Sequence, residues 1–165
     1  NCENIYAIGD CAEFREHPSG RKNIEQVWYT GKIMGATVAQ TICGKQTAYQ
    51  LGVWFNSAKF FDLEYQTYGW VWPNIKPNEA SFYWEDKKGE KCLRFVYHKV
   101  NRIFLGVNTF GIRLRHEVMD EWIRNEHSID EVINNLAEAN FDPEFYPRYE
   151  KEIQTAFQKQ QKQLV

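Results

Sequence analysis

No stretch of this 165-residue sequence approaches the roughly 20 consecutive apolar residues of a membrane-spanning helix. Its start shows no charged segment followed by a hydrophobic one. Neither a membrane span nor a secretion signal is therefore expected. Charge of one sign is also scarce: the formal net charge is −2 and the pI about 6.1, which gives no broad basic footprint for nucleic acid or an anionic membrane surface. The four cysteines, Cys2, Cys11, Cys43 and Cys92, are scattered and form no CxxC pair. That spacing argues against a zinc site or a dense disulfide framework, and for reduced thiols in a cytoplasmic protein. Internal repeats and long low-complexity segments are missing as well. What is present is a hydrophobic share of 43% and an aromatic share of 16%, enough for a packed interior. The length suits one ordinary domain or a part of something larger.

The chain opens on a short apolar run, Ile5, Tyr6, Ala7 and Ile8, of the kind found in strands covered on both faces, and it stops at Gly9-Asp10. After a polar loop, residues 25 to 43 read as a helix. Val27, Gly31, Met34, Val38 and Ile42 fall on one stripe, and Gly44 supplies a stop. Gly31, Gly35 and Ala39 recur at four-residue spacing. Each helix glycine costs about 1 kcal/mol relative to alanine, so the pattern fits close approach of another backbone or a flat ligand, or tight packing of the helix on a sheet.

From about residue 54 the period changes to 2. Leu63, Tyr65 and Thr67 alternate with polar neighbours, as do Ala80, Phe82 and Trp84; "DKKGEK" is a turn, and Leu93, Phe95, Tyr97, then Ile103, Leu105 and Val107 follow. The pattern predicts an antiparallel β-meander. Two helices follow it, one over 113 to 124 with Val118, Met119, Trp122 and Ile123 inward, and one opened by a Ser128/Glu131 capping box with Ile129, Val132, Ile133 and Leu136 inward. A last amphipathic stretch with Tyr149, Ile153, Phe157 and Leu164 on one stripe forms a terminal helix. The expected fold class is α+β.

A strand that ends in Gly-Asp places a carboxylate at the carboxyl edge of a sheet, where ligands of open α/β folds bind; an ordinary turn is the alternative. The stretch "IYAIGDCAEF" resembles the second FAD-binding motif of the FAD-dependent pyridine nucleotide-disulfide oxidoreductases, in which a strand ends in Gly-Asp and the aspartate holds the ribityl chain of the flavin. "NIEQVWYTGKIMGATVAQTICG" is similar to the helix that follows it in that family, and "VWFNSAKFFDLEYQTYGWV" to the start of the family's C-terminal domain. The family's GxGxxG, its NAD(P) motif and the paired redox cysteines of some members are absent from these residues.

The resemblance implies a partial FAD-binding strand and helix at 1–50, a remnant of the FAD-binding domain. An interface-type α+β domain at 51–145 and a helical tail at 146–165 complete it. It implies the C-terminal part of a flavoprotein that takes hydride from NAD(P)H onto FAD and passes electrons to an acceptor, with NAD(P)H bound by a region not in these residues and the chain by itself inactive. Asp10 would accept hydrogen bonds from the ribityl hydroxyls and Gly9 would allow close approach. Glu25, Gln26, Val27 and Trp28 would lie at the helix start, facing the flavin's pyrimidine side, and Phe55 would approach the ring system from the C-terminal domain. A homodimer is a possible partner arrangement in such a family. Two departures stand out: Asn56 occupies a position where many relatives carry an aromatic residue, and the family's His-Pro dipeptide has no match. No catalytic acid is therefore assigned.

Other patterns point to structure. His116-Glu117-x-x-Asp120 has the spacing of a zinc motif, but aspartate replaces the second histidine and no third ligand stands out, so no metal is expected and Arg113 is expected to pair with Glu117. His98 is read as a hydrogen-bonded structural residue and Cys11 as a small buried thiol. The run "FYWED" is half core by its alternation, and without a basic groove it does not indicate nucleic acid. The competing reading of the whole chain is a non-catalytic interaction module whose aromatic strands dock a partner.

Overall fold

The computed structural model describes residues 4–16 and 22–163; Cys2 and Leu164 lie outside them. The chain divides into two compact units, residues 1–52 and 53–165.

In the first unit, helix α1 spans Trp28–Ile42. It stops where expected: Gly44 takes φ +89°, a conformation that is cheap only for glycine. The Lys45 amide then donates to Gln40 O and the Gly44 amide to Thr41 O, closing off carbonyls that the helix end would leave open. Ahead of the helix, Gly9–Cys11 forms a single 3-10 turn. The apolar run before it is not a buried strand. Ile8 is extended (φ −141°, ψ 164°), but residues 5–8 pair with no strand among the described residues, and Ile5 is 72% exposed. A strand is made by its ladder partners, and among the described residues none pairs with this run. Met34 is buried, whereas Ile42 at the end of the same stripe is exposed.

The second unit is a five-stranded antiparallel sheet, β1 (Phe55–Phe60), β2 (Leu63–Gly69), β3 (Glu79–Glu85), β4 (Cys92–His98) and β5 (Phe104–Phe110), in the order β1-β2-β5-β4-β3. β3, β4 and β5 form the expected meander. β2 does not continue into it as a neighbour of β3; it pairs with β5, in register Tyr68↔Val107 and Gly69↔Gly106. Two glycines are required at that join, since a Cβ on Gly69 would stand 2.1 Å from Leu105 O and one on Gly106 2.5 Å from Tyr68 O. The β3–β4 turn is fixed by Asp86, whose Oδ1 accepts from the Glu90 and Lys91 amides at 2.8 and 3.0 Å. The Lys91 amide, foremost among these donors, holds the Asp86 carboxyl below its ordinary range.

Helices α2 (His116–Arg124), α3 (Ile129–Asn134) and α4 (Glu150–Gln163) contribute to the core that forms with the sheet. Alternate residues of the sheet (Phe82, Trp84, Leu93, Phe95, Tyr97, Val107) meet Met119, Trp122, Val132, Ile133, Ile153 and Phe157 there. Each such side chain, fully buried, stabilises by about 1.5 to 3 kcal/mol. The capping box at Ser128 is formed in full: Ser128 Oγ accepts from the Glu131 amide and Glu131 Oε2 from the Ser128 amide. Two arginine clasps tie loops to neighbouring elements. Arg102 grips Asp130 through Nε and Nη2 (2.5 and 2.7 Å) and lies over Tyr97. Arg113 donates Nε to both carboxylate oxygens of Glu64 (2.7 and 2.8 Å) and Nη1 to Tyr146. The expected Arg113–Glu117 pair is thus replaced: Glu117 bonds Arg115, because β2 brings Glu64 to Arg113 from 49 residues away.

Candidate functional site

Gly9 takes φ +75°, which turns the chain sharply after the extended Ile8 and presents Asp10 on a surface turn. The turn lies on α1. The Gly9 amide donates to Met34 Sδ at 3.2 Å, a Cβ on Gly31 would stand 3.8 Å from Gly9 Cα, and one on Gly35 would meet Ile8 Cδ1 at 4.0 Å. Gly31 thus faces the Gly9 backbone and Gly35 the Ile8 side chain, each at a distance where an added methyl group would make ordinary contact. Above Gly9 itself the position a Cβ would take has no atom within 4 Å. The Asp10 side chain is exposed and bonds to no side chain or backbone group among the described residues.

The segment leading into α1 is held differently. Glu25 is 2% exposed, and its Oε2 accepts from the Tyr49 hydroxyl at 2.7 Å. Thr30, fully buried, donates its hydroxyl to Val27 O at 2.7 Å and Glu25 O at 3.2 Å. Gln26 is exposed. Val27 stands at the N-cap, extended, and its own side chain makes no capping bond; the positive end of the helix dipole lies there. Trp28 is 69% exposed, edge-on to Tyr29 at 5.2 Å, with Lys32 Nζ 5.3 Å from its ring centre. Beside the turn, Ala7, Ala12, Glu13, Phe14, Met34 and Tyr49 line a cleft of about 250 Å³.

Phe55 belongs to the second unit. It opens β1, pairs with Tyr68 and packs its ring 4.3 Å from that of His116. Asn56 donates to Tyr65 OH at 3.0 Å. His116 is thus an aromatic neighbour of Phe55 and Tyr68, while Asp120 accepts from Arg124 at 2.6 Å. Among the described residues no group of three His, Cys, Asp or Glu is arranged to hold a metal ion. Cys11 departs from expectation: its thiol is exposed, donating to Ile8 O at 3.4 Å, because no strand among the described residues covers the turn.

Tyr49 and Thr30 take part in this arrangement without having stood out in the sequence. Met34 lay on the helix stripe, but Tyr49 sits in an irregular segment where no periodicity marks it.

No protein-family model matches the chain. Solved structures do match it in fold. A NAD-dependent persulfide reductase from A. fulgidus superposes with TM-score 0.66 at 16% identity, over 97% of this chain and 32% of its own. A water-forming NADH oxidase from Lactobacillus brevis gives 0.63 at 18%, over 97% and 39%. An FAD-dependent pyridine nucleotide-disulphide oxidoreductase from Desulfovibrio vulgaris gives 0.59 at 14%, over 95% and 38%. The chain spans between 32% and 39% of the length of these structures, and its fold is that of their C-terminal portion.

Proposed function

We propose that this chain is the C-terminal part of a flavoprotein oxidoreductase that takes hydride from NAD(P)H onto FAD and delivers the electrons to an acceptor. Residues 1–50 would contribute to the flavin site; 51–145 and the tail 146–165 would cover it or form a dimer interface in a cytoplasmic homodimer. The observation that carries the reading is the Gly9-Asp10 turn seated on α1, with open space above Gly9 and an uncommitted carboxylate beside it. These residues fit the cofactor. Glycine admits a ligand to the backbone, and a free carboxylate accepts from a run of hydroxyls. The start of α1 at Val27 and Trp28, the positive end of the helix dipole, favours negative charge nearby. FAD, when bound, supplies the two-electron chemistry, and the chain's own residues position it. Among the described residues no helix is long and apolar enough to cross a membrane.

The test is FAD titration of the full-length apoprotein. A charge-assisted hydrogen bond contributes roughly 1.5 to 3 kcal/mol, so Asp10→Ala should weaken FAD binding on the order of 10 to 100 fold. Asp10→Asn should fall between it and wild type, with circular dichroism unchanged in both. Unchanged affinity in Asp10→Ala would reduce Gly9-Asp10 to a turn. The competing reading, an interaction module, draws on exposed Phe60, Phe61 and Leu63 at the β1–β2 hairpin. A full-length protein that purifies without flavin absorbance would favour it.

A further inference from the structure

Where β4 begins, β5 ends and α4 starts, the second unit does not close completely. A cavity of about 180 Å³ lies there. Its inner wall is made of Leu93, Leu114, Leu136 and Ile153, all buried members of the core. Protein interiors are packed so densely that voids larger than a water molecule are few, and an apolar cavity of about 150 Å³ already takes up a benzene-sized molecule. The frame around this one is fixed by hydrogen bonds: Leu114 bridges to Asn140, and its amide donates to Gln66 Oε1 at 2.6 Å. Size and wall together suit one branched aliphatic side chain.

The same cavity is lined by charge of both signs. Lys91 lays its stem across Gly111, whose φ of +68° and missing side chain allow it: a Cβ there would stand 3.0 Å from Lys91 Cγ. The Lys91 ammonium has no hydrogen bond or ion pair among the described residues, and its charge reaches Asp86 only at longer range. Glu150, the first residue of α4, is half-buried; its carboxylate accepts from Asn140 Nδ2 and meets no cation among the described residues. The third lining charge, Arg113, is taken up by Glu64 and Tyr146. One cation and one anion therefore remain beside a single aliphatic cavity without bonding each other. A molecule that answers all three features carries a carboxylate, an ammonium and a branched aliphatic side chain. We infer that this cavity binds a free amino acid of the branched aliphatic class, with its side chain against Leu136 and Ile153, its carboxylate on Lys91 and its ammonium on Glu150. The site lies within the second unit and is independent of the flavin reading.

The experiment uses the intact protein and three probes: leucine, isopentylamine, which lacks the carboxylate, and isocaproate, which lacks the ammonium. Calorimetric titration should give leucine a Kd of about 1 mM or lower. Each analogue should bind at least about tenfold more weakly, the loss expected for one charge-assisted bond. Lys91→Met keeps the stem and should bring leucine down to the level of isopentylamine, whose own affinity does not fall. Glu150→Gln keeps an acceptor for Asn140 and should bring leucine down to the level of isocaproate, whose own affinity does not fall. Amide shifts on adding leucine should centre on Gly111, Leu114, Leu136 and Ile153. If Glu150 serves only as a favourable acid in the first turn of α4, Glu150→Gln will lower stability and leave these affinities in place, which overturns the inference. So does the absence of saturable leucine binding up to about 10 mM. Equal affinities for the three probes, or shifts confined to other parts of the chain, overturn it as well. None of these outcomes bears on whether the protein takes up FAD.

Discussion

The two units of this chain differ in what they do with apolar residues. In residues 53–165, the sheet and three helices enclose Phe82, Phe95, Phe104, Met119 and Ile133 almost completely. In residues 1–52, Met34 is the only hydrophobic side chain among the described residues to be buried, and Ile5, Tyr6, Ile8, Ile24, Trp28 and Ile42 face outward. Both halves have well-formed local structure, with a helix closed at Gly44 in one and a full capping box at Ser128 in the other. Local structure and a core are therefore separable. The second unit holds together by burial, and the first holds its shape through a short list of specific contacts: Gly9 on Met34, Tyr49 on Glu25, Thr30 on Val27.

The sharpest way to break this contrast is to hollow the core of the second unit. Phe95 is fully buried in the middle of β4, edge-on to Phe104. Phe95→Ala removes its transfer energy and leaves a cavity, at a cost of about 3 to 5 kcal/mol. Urea unfolding should report that loss. Amide exchange should show protection falling throughout β3, β4, β5, α2, α3 and α4, with α1 left as in wild type. If α1 loses protection in step, the two units unfold as one body and the contrast drawn above fails.

The same contrast explains what the sequence made legible. Signals set by a few adjacent residues came through: the glycine stop of α1, the "DKKGEK" turn, the inward positions of α2 and α3, the capping box. Signals that depend on distant partners did not. The β2–β5 pairing brings together residues about 40 positions apart, and no local pattern encodes its register. Arg113 finds Glu64 across the sheet rather than Glu117 one turn away. The apolar run at Ile5–Ile8 has the composition of a buried strand, but burial is a property of neighbours. At the candidate site, Gly9 and Asp10 were visible through their resemblance to a known motif, whereas the helix expected from residue 25 begins at Trp28, with Val27 extended ahead of it. Tyr49 was not, since a lone tyrosine in an irregular stretch carries no sign of the carboxylate it meets.

A smaller effect tests the electrostatic clasp of the second unit. Arg102 bonds Asp130 through two nitrogens, and the guanidinium holds the Asp130 carboxyl below its ordinary value of 3.8. A carboxylate whose pKa is lowered on folding stabilises the fold above its unfolded pKa and loses that contribution as pH falls through the folded value. Half of the Asp130 side chain is exposed, so solvent screening limits the pair to about 0.5 to 1 kcal/mol. Asp130→Asn should be less stable than wild type by that amount at neutral pH. The two unfolding curves should converge in acid well below pH 3.8. A gap that persists undiminished there would assign the effect to packing rather than charge.

The smallest expected effect belongs to the first unit and bears most directly on the comparison. Ile5 is 72% exposed, so most of its apolar area is in water whether the chain is folded or not. Burial contributes roughly 25 cal/mol per Å² of area removed from water, and little is removed here. Ile5→Ser should therefore change stability by no more than about 0.5 kcal/mol, the range of ordinary surface substitutions, in contrast to the core change at Phe95. The measurement is urea unfolding of this chain at two protein concentrations a hundredfold apart. A loss above about 1 kcal/mol at both would mean that the Ile5–Ile8 run is covered within the folded chain, against the exposure described above. A loss seen only at the higher concentration would mean that a second copy covers it, since association stabilises a fold in proportion to the logarithm of concentration. Under either outcome the bare first unit would no longer be the appropriate contrast to the packed second one.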